Sequence, residues 1–423
     1  MKKFAKLICL VLVLVIGVSS LAGCHKKDEI ALVIGDLQIK TSTYLCALIE
    51  ADMQAKQDIY NEKSKAEDFD EEAEIDFYSE TIDGKEFSTW VKDRAILLCQ
   101  RYAYVKKITA EKKVDFKKDE LANVESRAES NWSSYGYAYL YLNNGVNYDT
   151  YLDYYKNGML LDYYFLSIYG KEGTSPVPET EVSDAFYENY DIMHYLYLSK
   201  KDSDNKDKKE ELWKTEKAMF EQYVKDINSG KYTFKEVEEL YKKYQEEQKK
   251  DDTTSSNTSS NTSSNVSSNV SSNVSSTTSN LSSTTSTNTS SGTTSSGEEE
   301  KKPLDETAQL IASEKSESNY ATEYFEKIHG LKIGEAALVE EETNGGYYIF
   351  IRRDIKADPY YLDANYEMVI YMLKYEGFSN EIEAEAVKLT YEEDTWATGI
   401  LESDEINYDE YNLFTQYYNS YGY

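Results

Sequence analysis

The stretch GLKIGEAALVEEETNGGYYIFIRR, from Gly330 to Arg353, combines a glycine pair with a strand-like aromatic run. Two adjacent glycines, Gly345 and Gly346, follow an acidic run and precede the sequence Tyr-Tyr-Ile-Phe-Ile, although the chain has only 19 glycines in 423 residues. Glycine accepts turn conformations that other residues avoid. Aromatic and β-branched runs are typical of strands. We therefore expect a turn at the two glycines, followed by a buried strand.

Before this stretch, the N-terminal part of the chain is dominated by helical spacing. Apolar residues recur at intervals of three and four from Val91 to Val105 and from Tyr148 to Leu166, which predicts two long helices. We expect the first to end near Lys106, because cations suit a helix C-terminus. Pro178 begins a third helical pattern, and residues 31–34 read as a short strand.

The pattern changes at Asp191. Residues 191–198, DIMHYLYL, are strand-like, and helical spacing then runs from Trp213 until Asn228-Ser229-Gly230 ends it. A shorter helix follows from Phe234, and residues 368–389 return to helix in two segments. The sequence therefore predicts an α+β fold: a mostly helical part formed by the N- and C-terminal segments, and a smaller α/β domain.

Composition sets further limits. Residues 252–296 consist almost wholly of Ser, Thr and Asn, and such a segment buries too little apolar surface to offset its ordering entropy. We expect 252–300 to be disordered. The formal net charge is −31, which argues against binding nucleic acid or an anionic membrane surface, because both require basic patches.

The N-terminus carries the most specific signal. Lys2, Lys3 and Lys6 precede an apolar run over 7–18, and the small residues after it end in Leu-Ala-Gly-Cys at Cys24. This layout is typical of a secretory signal, here 1–23, and its last four residues resemble a bacterial lipobox. We expect a lipid on Cys24 to anchor the chain to the cell membrane, facing outside the cytoplasm. An uncleaved membrane helix is the alternative, but the run is shorter than the roughly 20 apolar residues that span a bilayer.

Cysteine and histidine provide no metal site. Cys46 and Cys99 remain after processing, and they either pair as a disulfide or lie as small buried thiols on apolar helix faces. The histidines His25, His194 and His329 lie near no cysteine pair. We expect neither a metal nor another cofactor.

The order of predicted elements resembles one known family. A strand, a long helix ended by glycine, a short helix, a Leu-Lys-x-Gly-Glu motif and a closing strand led by Gly-Tyr are similar to a parvulin-type prolyl isomerase domain. Extracytoplasmic foldase lipoproteins carry such domains. The resemblance rests on His194 in MHYLYL, on 229–234, SGKYTF, on 331–335, LKIGE, and on Gly346-Tyr347.

The resemblance implies a domain organisation. It predicts an N-terminal helical chaperone region over 24–190 and a parvulin-like domain over 191–356, interrupted by the disordered insert. A C-terminal helical segment over 357–403 would pack on the N-terminal region, and a Tyr-rich tail over 404–423 would follow.

The resemblance also implies candidate site residues. Rotation about an X-Pro amide needs an apolar pocket for the proline ring and polar groups that favour the twisted amide, but no nucleophile or metal. In the family two histidines face each other in the site. His194 matches the first, Tyr348 stands where the second is expected, and Tyr324 or Phe325 would supply a pocket aromatic. Isomerase activity stays open, because a phenol does not reproduce a pair of imidazoles.

Two functions follow as hypotheses. The first is a membrane-anchored extracytoplasmic chaperone or foldase acting on unfolded or newly exported polypeptides. The second is a catalytically inactive binding or structural lipoprotein that docks a specific cell-surface partner. The 40 tyrosines suit a binding surface, since Tyr is enriched at such surfaces, but compositional bias explains the count equally well.

Overall fold

The computed structural model describes residues 29–66, 69, 75–201, 206–253, 308–313, 322–341 and 345–420. The predicted signal peptide and Cys24 lie outside the described residues. So does the predicted disordered segment, 252–300, except for Asp252 and Thr253, which end a helix. The described residues are mostly helical with small antiparallel sheets, in agreement with the predicted α+β class.

Thirteen α-helices occur among the described residues, and they account for most of the structure. In chain order they are α1 Thr41–Lys63, α2 Phe87–Lys112, α3 Lys118–Ser134, α4 Tyr137–Asn143, α5 Tyr148–Tyr169, α6 Glu179–Asn189, α7 Glu210–Asn228, α8 Phe234–Thr253, α9 Thr322–Gly330, α10 Tyr360–Ala364, α11 Tyr366–Ala386, α12 Thr395–Thr398 and α13 Asp409–Ser420.

Nine strands form three antiparallel sheets in the described part of the chain. The strands are β1 Ile30–Ile34, β2 Leu37–Lys40, β3 Thr81–Ile82, β4 Lys85–Glu86, β5 Tyr190–Leu198, β6 Gln309–Ala312, β7 Ala336–Glu341, β8 Gly346–Arg353 and β9 Tyr391–Glu393. The sheets have the orders β2-β1-β9, β3-β4 and β6-β5-β8-β7.

The described residues divide into two compact units. Unit 1 holds those up to Pro176 together with those from Lys374 onward, and unit 2 holds those from Val177 to Leu373. The boundary on the C-terminal side falls inside α11.

Unit 1 is built around the pair α1 and α2. Both helices bury an almost continuous face in one large core, in which Tyr44, Phe87 and Leu140 are almost wholly buried. The C-terminal residues complete this unit: β9 pairs with β1, the Phe378 ring lies 5.2 Å from the Phe165 ring, and the Arg94 guanidinium is paired with the Glu383 carboxylate at 2.9 Å.

Unit 2 is a four-stranded sheet with a helix layer on each face. On one face, α7 and α8 contribute Phe220, Phe234 and Val237 to a cluster that also holds Leu198 and Ile349 of the sheet. On the other face, α9 contributes Ile328, which packs with Met193, Val339 and Phe350. Alternate residues of each strand therefore serve two separate cores.

Helix ends show where the sequence patterns were reliable. The helix predicted from Trp213 ends at Asn228, as expected. The next begins with a reciprocal cap, since the Glu236 amide donates to Thr233 Oγ1 at 3.2 Å and the Thr233 amide donates to the Glu236 carboxylate at 2.7 Å.

Three predictions of helix extent were wrong. The helix from Phe234, expected to be shorter than the one before it, has 20 residues against 19 in α7. The helix α2 does not end near Lys106 but continues to Lys112, because the buried stripe extends to Thr109, and Lys113 then ends the helix in a left-handed conformation with φ of 56°. Residues 366–386 form one helix, α11, rather than two segments, so Gly377 does not interrupt it.

Both described cysteines lie in the core of unit 1. Cys46 and Cys99 are free and buried, so the interpretation as small core residues is confirmed. Burial raises the pKa of the Cys46 thiol well above its ordinary value, which keeps it protonated and unreactive.

Within the described residues, every helix is too short or too polar to cross a membrane.

Candidate functional site

His194 lies on the face of the unit 2 sheet that α7 and α8 cover. It stands in the middle of β5 and is fully buried. Its ring centroid lies 5.1 Å from that of Phe234 on α8. Leu196 and Leu198, two and four residues along on the same face, belong to the apolar cluster that holds Phe234. The surroundings of His194 are therefore those of a core residue.

Tyr348 lies on the opposite face of that sheet. In the pairing of β5 with β8, His194 stands opposite Ile351, and Tyr348 stands opposite Tyr197. His194 and Tyr348 are thus displaced by three positions in register, and three steps along a strand reverse the side-chain direction. The structure does not bring the two predicted catalytic residues together, so a shared pocket between them does not form.

The two predicted pocket aromatics have different surroundings. The Tyr324 ring lies 6.1 Å from the Tyr348 ring and 6.3 Å from the Phe350 ring. Phe325 instead packs on the His329 imidazole, with ring centroids 4.1 Å apart. Of the four residues predicted for a site, the structure therefore brings together only Tyr324 and Tyr348.

We call the rings around Tyr348 the tyrosine face, and it comprises the half-buried Tyr195, Tyr197, Tyr324 and Tyr348 and the buried Phe350. The Tyr348 ring is 4.6 Å from that of Tyr197, 5.7 Å from that of Tyr195 and 5.2 Å from that of Phe350. At these distances the rings contact one another. The tyrosine face is a packed aromatic surface that presents phenol groups.

One carboxylate borders the tyrosine face. The Tyr197 hydroxyl donates to Glu341 Oε2 at 3.4 Å. Burial, followed by the Glu341 charge, raises the pKa of Tyr197, and burial raises the pKa of Tyr348 to about 12, with Tyr197 and Glu341 as smaller contributors. Both phenols stay neutral at physiological pH, so they donate and accept hydrogen bonds without carrying charge.

The two glycines of the opening stretch shape this face. Gly345 has φ of 68°, in the left-handed region that glycine tolerates, and turns the chain into β8. At Gly346 an added Cβ would lie 2.5 Å from the Tyr197 hydroxyl oxygen. Glycine at position 346 therefore allows the close approach of Tyr197, and a larger residue there would displace the end of the Tyr197 side chain. The predicted turn and buried strand are confirmed.

Sequence reasoning missed Tyr195 and Tyr197. The signal was available in MHYLYL, since alternation along a strand places both tyrosines on the face opposite to His194. The resemblance pointed to His194 instead. Only the pairing register of β5 with β8 shows that Tyr348 lies on the same face as Tyr195 and Tyr197.

A second candidate site lies in unit 1. We call it the helical groove, a cavity of about 510 Å³ lined by Trp132, Ser133, Ala138, Tyr139, Leu142, Asn143 and Glu410. Tyr139 is 44% exposed and Leu142 is 55% exposed. They lie three positions apart on α4 and therefore share one face of that helix, so they leave adjacent apolar surface uncovered.

Packing between α4 and α13 forms this groove. The Tyr137 and Tyr411 rings stack with centroids 5.9 Å apart. Phe414 lies directly over Gly136, where an added Cβ would come within 2.4 Å of the ring, and it also contacts the Tyr139 ring at 5.9 Å. The C-terminal residues therefore form one wall, which composition alone did not predict.

The described residues hold no group of three or more His, Cys, Asp or Glu side chains arranged to bind a metal ion. Both candidate sites are instead aromatic and apolar. Their chemistry is contact with apolar or aromatic side chains and hydrogen bonding through phenols.

Comparison with protein-family profiles and with curated protein sequences finds no match. Among solved structures, the chain is similar to a foldase protein PrsA from Streptococcus pneumoniae, with a TM-score of 0.32 and 10% identity over 73% of this chain and 92% of that one. It is also similar to the foldase protein PrsA from Lactococcus lactis, with a TM-score of 0.32 and 11% identity over 88% and 97% of the two chains. A likeness at this TM-score does not establish a common fold, and the functional proposal rests on the geometry described above.

Proposed function

We propose that the chain is a membrane-anchored, extracytoplasmic folding factor that binds unfolded or newly exported polypeptides. The helical groove carries this proposal, because an exposed aromatic cavity of about 510 Å³ accommodates the apolar side chains that a non-native chain exposes. Each apolar side chain buried there contributes about 1.5 to 3 kcal/mol. Binding of this kind requires no fixed client sequence.

The order of helices and strands in unit 2 supports the proposed resemblance to parvulin-type foldases. The strand β5 is followed by the long helix α7, the helix α8, then β6, α9 and the antiparallel pair β7 and β8. The first strand, the two helices and the closing strand β8 follow the order predicted from the sequence, whereas β6 and β7 were not predicted. The boundaries 24–190, 191–356 and 357–403 and the parvulin-like character of the middle domain belong to this proposal.

Prolyl isomerisation by unit 2 is not part of the proposal. Catalysis by two facing polar residues needs both side chains around one amide. His194 is fully buried against Phe234, whereas Tyr348 lies on the other face among aromatic rings. Tyr348 and its neighbours pack against one another, so client binding is assigned to the helical groove.

Membrane attachment is part of the proposal and rests on the sequence alone. Cleavage after residue 23 and a lipid on Cys24 predict a mature N-terminus with a large mass increase. Mass spectrometry of the native protein tests this directly. An unmodified Cys24, or a chain still carrying residues 1–23, contradicts the anchor but leaves client binding untouched.

The central experiment uses the mature chain from His25 onward in two assays. One follows aggregation of chemically unfolded clients by light scattering, and the other follows refolding of a client limited by proline isomerisation. We expect suppressed aggregation and an unchanged refolding rate. Accelerated refolding would establish an isomerase instead. Saturable binding of one partner, without protection of unrelated clients, would favour the docking lipoprotein.

A matched pair of variants locates the client site. Tyr139→Ser with Leu142→Ser removes the exposed side chains of the groove, and we expect client affinity to fall about tenfold or more, since each contact is worth about 1.5 to 3 kcal/mol. Tyr391→Ser with Val387→Ser is the control, because these side chains have similar exposure, 43% and 59%, elsewhere in unit 1. Equal losses in the two pairs would contradict a site in the groove.

A further inference from the structure

A small cavity in unit 2 shares no lining residue with either candidate site. It has a volume of about 290 Å³ and is lined by Tyr187, Tyr190, Asp191, Ser313, Ile333, Arg352, Arg353, Asp354, Ile355 and Lys356. The end of α6, the start of β5 and the end of β8 all contribute to it. Three cations line it, in a chain with 77 acidic and 46 basic residues.

One of the three cations is fully engaged. Arg352 Nε donates to Asp191 Oδ2 at 2.7 Å, and Nη2 lies 2.6 Å from the same oxygen. Its Nη1 donates to the carbonyl oxygens of His329 and Leu331, both at 3.1 Å. Asp191 and Arg352 therefore neutralise each other and form the floor of the cavity rather than a ligand contact.

The other two cations are not matched in this way. In the described part of the chain, Arg353 and Lys356 have no carboxylate within ion-pair distance. The Lys356 ammonium lies 5.1 Å from the centroid of the Tyr187 ring, which holds it over the cavity edge by a cation–π contact. The remaining acid, Asp354, accepts a hydrogen bond from the Lys356 backbone amide at 2.9 Å, a contact that fixes the turn.

This charge distribution favours an anion. After the Asp191 and Arg352 pair is set aside, two cations and one turn carboxylate remain, so the cavity lining is locally positive. The chain as a whole carries −31, which repels anions at long range. An anion would therefore be held by short-range donors, the Arg353 guanidinium and the Lys356 ammonium.

We propose that this cavity binds an oxyanion, a carboxylate or a phosphate, attached to an apolar or aromatic group. Arg353 and Lys356 would contact the oxyanion, because guanidinium and ammonium groups form charge-assisted hydrogen bonds with such oxygens. Ile333, which is 61% exposed, and the Tyr187 ring would contact the apolar part. This site is independent of the helical groove, so either can fail without the other.

The test uses the mature chain and three small probes in ligand-observed NMR titrations. N-acetylphenylalanine carries a carboxylate beside an aromatic ring, its primary amide is the neutral match, and inorganic phosphate is the second oxyanion. We expect saturable binding of the carboxylate, of phosphate or of both, with the carboxylate at least about tenfold tighter than its amide. Equal binding of acid and amide, or no binding of either oxyanion, overturns the proposal.

Substitutions then assign the site. Arg353→Gln with Lys356→Gln should weaken oxyanion binding about tenfold or more, whereas Lys235→Gln, an exposed lysine on α8, should leave it within about twofold. Circular dichroism checks that each variant is folded, and the single variants serve if the double variant is not. Unchanged binding in folded Arg353 and Lys356 variants would place the anion elsewhere and overturn the proposal.

Discussion

The tyrosine face and the helical groove are both rich in tyrosine, yet their side chains are used differently. Around Tyr348 the rings contact one another at 4.6 to 5.7 Å, and the tyrosines among them lie half-buried over a sheet. In the groove, Tyr139 is 44% exposed and Leu142 is 55% exposed beside a cavity, and the Tyr139 ring contacts only one other ring that the structure describes, that of Phe414. Aromatic side chains that satisfy one another stabilise a fold, whereas those left uncovered are available to a partner. Tyrosine content alone does not separate the two roles.

The largest expected effect concerns the covered side of the unit 2 sheet. Phe234 is 2% exposed and packs against His194. Replacing it by alanine removes a large buried side chain, so Phe234→Ala should lower the free energy of unfolding by about 3 to 5 kcal/mol. Urea-induced unfolding followed by circular dichroism measures this change.

Leu240 provides the control on the same helix. It is 38% exposed, so Leu240→Ala should cost less than about 1 kcal/mol. A loss below about 1 kcal/mol for Phe234→Ala would mean that α8 does not cover His194, and the histidine would again be a candidate for a site.

Gly346 tests the tyrosine face itself. A methyl group at this position meets the Tyr197 ring at 2.5 to 2.7 Å, so Gly346→Ala must displace that ring and should cost about 1 to 3 kcal/mol. Gly377 in α11 is the matched control, since an added Cβ there has no heavy atom within 4 Å. Alanine at a helix position is favoured over glycine by about 0.5 to 1 kcal/mol, so Gly377→Ala should be neutral or stabilising. Equal and small effects would mean that Tyr197 does not pack over Gly346.

Local sequence patterns predicted the secondary structure around the tyrosine face but not the pairing of its strands. The helical periods, the strand at 191–198 and the Gly345 and Gly346 turn were all predictable, because each depends on local pattern and turn chemistry. The pairing register of β5 with β8 was not, since it depends on which face the helices cover. A motif match placed His194 and Tyr348 in one site, and a displacement of three positions separates them. The contact of α13 with α4 that forms the groove was also not predictable, because the two helices are far apart in the sequence.

The pH dependence of stability sharpens the comparison further. The pKa of Tyr348 is raised to about 12, chiefly by burial, whereas a tyrosine in an unfolded chain has a pKa of about 10. The folded chain thus holds this proton more tightly. The contribution of the neutral Tyr348 phenol to the free energy of unfolding is fully present below a pH of about 10, and it is lost as the pH rises toward about 12.

The Tyr348→Phe variant removes this titration and keeps the ring. Its free energy of unfolding should therefore fall less steeply than that of the original chain across the same alkaline window, as measured by urea unfolding at a series of pH values. Tyr391→Phe, at an exposed position in unit 1, is the control. Identical slopes for Tyr348→Phe and the original chain would indicate that Tyr348 is solvated rather than held in a packed face.

The smallest expected effect on stability belongs to the helical groove. If Tyr139 and Leu142 are available to a partner, their loss should hardly change the fold, because exposed substitutions usually shift stability by less than about 0.5 kcal/mol each. Urea unfolding of Tyr139→Ser with Leu142→Ser should thus superimpose closely on that of the original chain, while aggregation suppression declines. A loss of several kcal/mol would instead show that these side chains support the packing of α4 against α13. The groove would then resemble the tyrosine face, and the difference between a structural and a binding use of tyrosine in this chain would disappear.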